Sequence, residues 1–320
     1  MNIEKMWNEI SNVKSIGIAG HVRPDGDCVG SCMALYQYLT KEYPEKEIDV
    51  YFESIPDRFQ FLSKTSEAKF SCEADKKYDI FISLDCSDKE RLGEAEKYFD
   101  QANYTICVDH HISNVGYAKQ NFIVADASST AEVLFTLLEQ DKIDYDVATS
   151  LYIGIIHDSG VFKYQSTSRK TMEIAGVLLE KGVKNTKLID ETFYQKTYIQ
   201  NQILGRVLLE SILVLDGKVI VSCVTQKMMK FYDATTQDLE GIVEQLRITK
   251  GVEMAVFLHE LEPLRYKVSM RSNELVDVSK IAQQFGGGGH IKAAGCTMTG
   301  NYYDIINNLL KFADQQLQDK

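Results

Sequence analysis

The sequence predicts an α/β protein in which a parallel-sheet domain with helices on both faces is followed by a smaller α+β domain across a cleft. Two observations support this class. In the first two thirds of the 320 residues, short apolar runs alternate with amphipathic stretches at the spacing of βαβ units. Beyond residue 211 this alternation gives way to β-rich hairpins. We expect domains at residues 1–186 and 212–320, joined by a helical connector at 187–211.

The elements of the first domain follow from the apolar runs. Four of them predict strands, at residues 15–20, 47–52, 78–85 and 104–109. The stretches between these strands predict helices at residues 28–43 and 91–99. Two further apolar helices, packed on the sheet, are expected at residues 130–141 and 146–158.

The second domain begins with β-rich runs on either side of Asp216-Gly217, a dipeptide typical of a hairpin. Runs at residues 255–261 and 265–272 predict a second strand pair. A glycine run follows at residues 286–289, and a helix is expected at residues 302–318.

Composition and charge restrict the function. The chain is 44% hydrophobic, and its 35 Lys and Arg against 46 Asp and Glu give a net charge of −11. A broad basic face for long duplex nucleic acid is therefore not expected. The first residues lack the apolar core of a secretory signal, and no apolar run is long enough to span a membrane. Seven scattered cysteines without a CxxC pair indicate reduced thiols, so we expect a cytoplasmic location.

Carboxylate and imidazole side chains collect where the predicted strands and helices end. In chain order they are His21, Asp25, Asp27, Asp85, Asp109, His110, His111 and Asp158. The carboxyl ends of parallel strands meet at one edge of a sheet, where α/β folds place their sites. Each cluster alone also fits a polar turn or a helix cap. Together they exceed what one metal ion needs, and two divalent ions sharing a carboxylate are typical of phosphoester hydrolysis.

The segment GGGGHIKAAG, at residues 286–295, predicts an anion site. Consecutive glycines leave backbone amides bare and free to adopt positive φ. We expect the loop to open a helix, whose dipole would favour an anion. His290, Lys292 and Arg271 would add positive charge. A flexible hinge is the alternative, but a hinge requires neither His290 nor Gly295.

Taken in order, these motifs resemble the DHH phosphoesterase family with its DHH-associated C-terminal domain. The matching pieces are HVRPDGD, the LD at 84–85, DHH at 109–111, HDSG at 157–160 and GGGGH at 286–290. The short two-domain form is similar to the bifunctional oligoribonucleases and pAp phosphatases of that family. The resemblance implies a Mn²⁺-dependent hydrolase that degrades very short oligoribonucleotides to mononucleotides. It also implies a 3′(2′),5′-bisphosphate nucleotidase activity that removes the 3′-phosphate of pAp.

The resemblance also implies roles for individual residues. One metal ion would be held by His21, Asp25 and Asp85, and the other by Asp27, Asp85, His110 and Asp158. Asp109 would orient a neighbouring imidazole, and His111 would face the scissile phosphate as a catalytic residue. The substrate phosphate would contact Arg271, Gly286, Gly287, Gly288, Gly289 and His290. Mn²⁺ is the expected metal, with Mg²⁺ or Co²⁺ as alternatives, and the family likeness implies a homodimer.

Three other functions fit parts of the sequence. A soluble phosphodiesterase for cyclic di-AMP or pApA would use the same metal ligands. A nucleotide sensor without turnover would be expected to have lost one or more ligands. An exonuclease for long single strands would need a basic channel lined by aromatic residues, and the sequence contains no basic run. We therefore expect a short oligonucleotide or a nucleotide as the substrate.

Overall fold

The computed structural model describes residues 2–73 and 75–318. The chain forms two compact units, one ending at Gln195 and the other beginning at Lys196. The first unit contains one sheet of five parallel strands and the second contains one mixed sheet of six strands. The predicted fold class of each domain, a parallel sheet with helices followed by a smaller α+β domain, is therefore confirmed.

The strand order of the sheet in the first unit indicates the edge at which a ligand would bind. Its strands are β1 (Ser15–Ala19), β2 (Glu47–Tyr51), β3 (Ile80–Leu84), β4 (Tyr104–Asp109) and β5 (Gln120–Ile123). They lie in the order β2-β1-β3-β4-β5, and all are parallel. The order reverses between β1 and β3, and ligands of open α/β sheets bind outside the carboxyl ends of the strands at such a point.

Helices cover both faces of this sheet. They are α1 (Ile3–Ser11), α2 (Gly26–Glu42), α3 (Glu96–Gln101), α4 (Thr130–Phe135), α5 (Tyr145–Asp158), α6 (Arg169–Glu180) and α7 (Asn185–Ile189). One face carries the main apolar core with α2, α4 and α5, and the other packs against α3 through an aromatic cluster around Phe81 and Tyr98. Helices α2 and α5 approach closely at Gly30, where a Cβ would lie 2.6 Å from the carbonyl oxygen of Ser150.

The second unit is built on a sheet whose two faces are covered unequally. Its strands are β6 (Ile212–Val214), β7 (Val219–Val224), β8 (Met254–Glu262), β9 (Arg265–Ser272), β10 (Gly288–His290) and β11 (Ala293–Thr299), in the order β10-β11-β9-β8-β7-β6. Its helices are α8 (Tyr198–Leu209), α9 (Gln226–Tyr232), α10 (Ile242–Arg247), α11 (Val278–Gln284) and α12 (Tyr302–Gln318). Helices α11 and α12 cover one face, whereas α8, α9 and α10 pack on the other, mainly against β7 and β8, with α10 also in contact with β9. No described residue of β9 or β11 belongs to the apolar cluster on that second face.

Several elements differ from the sequence-based expectations. The glycine run does not open a helix: it follows α11 and leads into β10, so that expectation is wrong. The helix expected at 91–99 starts as a 3₁₀ turn, which breaks at Gly93 with φ 58° before α3 begins. The helix expected at 130–141 ends at Phe135. The predicted connector 187–211 spans the division between the units, and its second half, α8, packs in the core of the second unit.

Among the described residues, no helix has the length and apolar character needed to cross a bilayer. The strand β5 was not anticipated from the sequence. Its four residues, QNFI, alternate too briefly to stand out, and only pairing with β4 stabilises them as a strand.

Candidate metal centre

The loop after β1 brings two of the predicted ligands together. Asp25 caps α2, with its Oδ1 accepting hydrogen bonds from the amides of Asp27 and Cys28, both at 3.1 Å. Its other oxygen lies 3.7 Å from Nε2 of His21. The Nδ1 of His21 lies 2.9 Å from the carbonyl oxygen of Val22. A proton on Nδ1 directed to that carbonyl leaves the lone pair on Nε2 available for a metal ion.

Asp85 lies at the middle of the cluster. It follows β3 with φ 59°, a left-handed conformation that is costly for a residue with a side chain. Its Oδ2 is 3.5 Å from Nε2 of His21, and its Oδ1 is 3.7 Å from Nε2 of His110 and from Nδ1 of His111. The hydroxyl of Thr130 donates a hydrogen bond to Oδ1 at 3.0 Å. This carboxylate therefore faces two separate groups of ligands, as a bridging ligand must.

His110 has a buried nitrogen without a hydrogen bond. Its Nδ1 lies 3.3 Å from the carbonyl oxygen of Ala127, which directs Nε2 toward the carboxylates. Nε2 is 3.0 Å from Asp158, 3.7 Å from Asp85 and 4.0 Å from Asp27, yet none of these contacts has hydrogen-bond geometry. Buried polar atoms normally have a partner, so this nitrogen indicates a missing one at the point on which the carboxylates converge.

Asp27 is fully buried and is held by the start of α4. Its Oδ2 accepts a hydrogen bond from the amide of Thr130 at 2.6 Å, and its Oδ1 accepts one from Ala131 at 2.9 Å. The carboxylate of Asp27 also packs against α5 at Gly154, where an added Cβ would lie 2.6 Å from Oδ1. The stretch SSTAEV at residues 128–133, which had no role at the level of the sequence, thus positions two predicted ligands.

The carboxylates and imidazoles of the centre shift one another's pKa values. Burial raises the pKa of Asp27 well above its usual value, and the carboxylates of Asp85 and Asp158 raise it further. Burial lowers the pKa of His21, but the nearby carboxylates of Asp25 and Asp85 outweigh this and raise it to about 11. For His110, burial is likewise outweighed by the surrounding carboxylates, which raise the pKa to about 10. Positive charge on the imidazoles compensates the carboxylates here, and divalent ions would do the same through nitrogen and oxygen donors.

Beside these ligands, Asp109 and His111 form a separate hydrogen-bonded chain. Nδ1 of His111 lies 2.8 Å from Oδ1 of Asp109, whose Oδ2 accepts a hydrogen bond from Nδ2 of Asn114 at 2.6 Å. Burial raises the pKa of Asp109, but the hydrogen bonds from His111 and Asn114 outweigh it and lower that pKa. The hydrogen bond to Asp109 raises the pKa of His111, whose side chain is 32% exposed. Asn114 was not singled out in the sequence, because nothing in its local pattern distinguishes it from a turn residue.

Among the residues that the structure describes, three groups of side chains have donor atoms close enough to hold a metal ion. They are His21 with Cys28 and Asp85, Asp85 with His110 and His111, and Asp27 with His110 and Asp158. The structure therefore brings together the predicted ligands His21, Asp25, Asp27, Asp85, His110 and Asp158, with Asp109 and His111 beside them. The donor set fits divalent metal ions.

The second unit contains a separate groove of about 690 Å³ on the part of its sheet formed by β9 and β11. Arg271, Lys267 and the four glycines at residues 286–289 line it. Register pairs Arg271 with Ala293, Ser269 with Gly295 and Lys267 with Thr297 across β9 and β11, so small side chains form the floor between two cations. His290 is the exposed last residue of β10 and is not among the described residues that line the groove.

The glycines of this groove differ in whether packing would exclude a side chain at their position. A Cβ at Gly287 would lie 2.2 Å from the carbonyl oxygen of Gly295, and one at Gly289 would lie 2.5 Å from that of Ala293. Both are therefore required by the close approach of β10 to β11. A Cβ at Gly288 would meet no atom within 4 Å, and its φ is not in the left-handed region. Packing does not explain Gly288, whereas the approach of a ligand to the backbone would.

Comparison with known families matches both parts of the chain. The profile of the DHH family, N-terminal domain, matches residues 15–155, and that of the DHHA1 domain matches residues 216–319. The bifunctional oligoribonuclease and PAP phosphatase NrnA of Thermus thermophilus is 29% identical over 89% of this chain and 84% of its own length. The probable enzyme of the same name from Streptococcus mutans is 27% identical over 95% and 97%, respectively.

A solved structure is also similar. The exopolyphosphatase-related protein from Bacteroides fragilis superposes with a TM-score of 0.85 at 24% sequence identity, covering 99% of this chain and 95% of that one. At this identity the likeness concerns the fold. The chain is therefore similar to its relatives over nearly its whole length.

Proposed function

Because the chain belongs to the DHH family of metal-dependent phosphoesterases and carries the family's DHHA1 domain, we propose that it degrades very short oligoribonucleotides to mononucleotides and removes the 3′-phosphate of pAp. The observation that carries this proposal is the position of Asp85. Its two oxygens face three imidazoles that come from two strand ends, with three more carboxylates around them. Relatives matched over most of their length are named for these two activities.

We assign two metal ions to this centre. His21, Asp25 and Asp85 would hold one, and Asp27, Asp85, His110 and Asp158 would hold the other. Bound there, divalent ions neutralise phosphoryl oxygens and generate a nucleophile from water near neutral pH. Mn²⁺ is our proposed metal, because the donors combine imidazole nitrogen with carboxylate oxygen, and Mg²⁺ or Co²⁺ are the alternatives.

His111 is the proposed general acid. Asp109 accepts the hydrogen bond from Nδ1, which fixes the orientation of the ring and favours its protonated form. Nε2 is then free to give a proton to the leaving oxygen of the substrate, and the partial exposure of the side chain gives the substrate access. Asn114 acts through Asp109 and is a positioning residue.

The groove of the second unit is the proposed phosphate site. Arg271 and Lys267 make no ion pair with any described carboxylate, whereas their neighbour Arg265 pairs with Glu262 at 3.1 Å. In a chain with net charge −11, two cations in one groove that have no described carboxylate as a partner favour an anionic ligand. The exposed backbone at Gly288 would add amide donors to the same phosphate.

The cytoplasm is the proposed location, because all seven cysteines are free and six are buried. The homodimer stays a prediction, which sedimentation equilibrium would test.

A substrate panel in Mn²⁺ tests the proposal. It contains pAp, pApA, cyclic di-AMP and a 5′-labelled ladder of short RNAs, each assayed with wild type and with Asp85→Ala. We expect mononucleotides from two- to five-residue RNAs and phosphate from pAp, and we expect both to be lost in the variant. Asp126→Ala, which changes an exposed aspartate ahead of α4, is the matched control and should retain activity.

Each other result has a defined meaning. Preference for cyclic di-AMP or pApA with pAp untouched would replace the proposal by second-messenger degradation. No turnover of any substrate would favour a nucleotide sensor. Full activity of Asp85→Ala would contradict the two-metal assignment.

A further inference from the structure

A cavity in the first unit adjoins the metal centre and has no part in the function proposed above. Its volume is about 260 Å³, and it lies at the carboxyl ends of β1 and β2 with His21 in its wall. The remaining wall comes from the segment around Phe70 and from the 3₁₀ turn at Leu92 and Gly93.

Hydrogen bonds hold the walls of this cavity in place. The amide of Val22 donates to the carbonyl oxygen of Arg91 at 2.8 Å, and that of Phe52 donates to Lys69 at 3.0 Å. The carboxylate of Glu53 accepts a hydrogen bond from the amide of Arg23 at 2.6 Å. Four chain segments are thus tied to one another, so the cavity exists before any ligand binds.

The lining has the character of a site for a heterocycle. Phe52, Phe70 and Leu92 provide apolar surface, and Glu53 and Glu94 provide carboxylates. None of the described lining residues is a lysine or an arginine, so apart from His21 the only charged side chains in the wall are the carboxylates of Glu53 and Glu94. Phe70 lines the cavity while 54% exposed, and an exposed aromatic ring is a stacking surface for a base.

We propose that this cavity binds the base of the nucleotide next to the scissile phosphate. The carboxylates of Glu53 and Glu94 accept hydrogen bonds, so they favour bases with an exocyclic amino group, such as adenine, over uracil. His21 is both a proposed metal ligand and part of the wall, which places a bound base directly beside the reacting phosphate. The inference rests on the proposed function for its substrate, but the cavity itself can be tested independently.

The first experiment compares pAp with its uracil counterpart pUp. Wild type should have the lower KM for pAp. Phe70→Ala should raise the KM for pAp about tenfold through lost stacking and leave kcat nearly unchanged. Glu94→Gln should reduce the discrimination between the two bases. Phe61→Ala removes a ring that is similarly exposed, at 47%, but lies outside the cavity, and should have no effect.

The second experiment measures binding of adenosine and of ribose 5-phosphate by calorimetry, and it needs no turnover. We expect adenosine binding to be lost in Phe70→Ala and retained in Phe61→Ala, with ribose 5-phosphate unaffected by either. If no substrate is turned over but adenosine binding depends on Phe70, the proposed function fails and the base site stands. If Phe70→Ala changes neither the KM for pAp nor adenosine binding, the inference is overturned.

Discussion

Replacing Asn114 with alanine tests whether His111 depends on a chain of buried hydrogen bonds. Nδ2 of Asn114 donates to Asp109 at 2.6 Å and to the carbonyl oxygen of Cys86 at 3.0 Å, and its Oδ1 accepts from Gly116 at 2.9 Å. Truncation removes these three hydrogen bonds, together with a weaker one from Nδ2 to Sγ of Cys107 at 3.4 Å, and leaves one oxygen of a buried carboxylate without its donor. The aspartate then has more freedom to turn away from His111.

The magnitude follows from these contacts. Three hydrogen bonds, one of them to a charged group, correspond to about 3 kcal/mol of unfolding free energy. For a unit of this size that loss lowers Tm by about 6–12 °C. A misoriented general acid should reduce kcat for pAp about tenfold to hundredfold, with KM nearly constant.

The assay combines steady-state kinetics on pAp with thermal unfolding, at a temperature where the variant stays folded. Asn121→Ala is the matched control, because Asn121 exchanges two hydrogen bonds with the backbone of Ala118 and has no link to Asp109. It should lose stability without losing kcat. If Asn114→Ala kept the wild-type kcat while its Tm fell, the argued link from Asn114 to His111 would be refuted.

Three further predictions concern the groove and the first sheet. Gly288→Ala should change the unfolding free energy by no more than about 0.5 kcal/mol and raise the KM for pAp. Gly287→Ala should be clearly destabilised in a denaturant titration, because its Cβ would meet the carbonyl oxygen of Gly295. Equal losses of stability in the two variants would contradict the different roles assigned to the two glycines. Lys267→Met should raise the KM for a tetranucleotide more than for pAp, because four strand residues place Lys267 about 13 Å from Arg271, and equal increases would exclude a second phosphate contact. Burial raises the pKa of Asp49, but Lys76, Tyr78 and Lys69 outweigh burial and lower that pKa. The ionised carboxylate therefore stabilises the fold at any pH above the pKa of Asp49 in the unfolded chain, and this stabilisation is lost as the pH falls through the lower pKa of the folded protein. Denaturant titrations below about pH 4 should therefore show a shallower loss of stability for Asp49→Asn than for wild type, and identical slopes would count against the pairing.

Much of the fold and the positions of the candidate ligands could be predicted from the sequence. Polar residues at the ends of apolar runs form a local pattern, and parallel strands align their carboxyl ends whatever the details of packing. His21, Asp85 and His110 were therefore expected at one edge of the sheet, and the structure places Nε2 of each imidazole within 3.7 Å of a carboxylate oxygen of Asp85. Strand β5 escaped prediction because four residues carry too little periodicity.

The supports of the centre could not be predicted, because they join distant parts of the chain. Thr130 reaches Asp85 across 45 residues, and Ala131 reaches Asp27 across 104. Neither contact leaves a pattern in the local sequence. The cavity at the carboxyl ends of β1 and β2 could not be predicted for the same reason, since four separate segments of the chain form its walls.

The glycine run shows most directly what each level decides. The four glycines and the nearby Arg271 were enough to suggest an anion site, because bare amides and a cation are local properties. The expectation that the run opens a helix was wrong, because strand pairing places it beside β11, where Gly287 and Gly289 are required by contacts with the opposite strand. The sequence by itself thus determined which chemical groups are present and at which strand ends they lie. Only the tertiary structure decided which of them touch, because hydrogen bonds and close packing form between segments that are far apart in the chain.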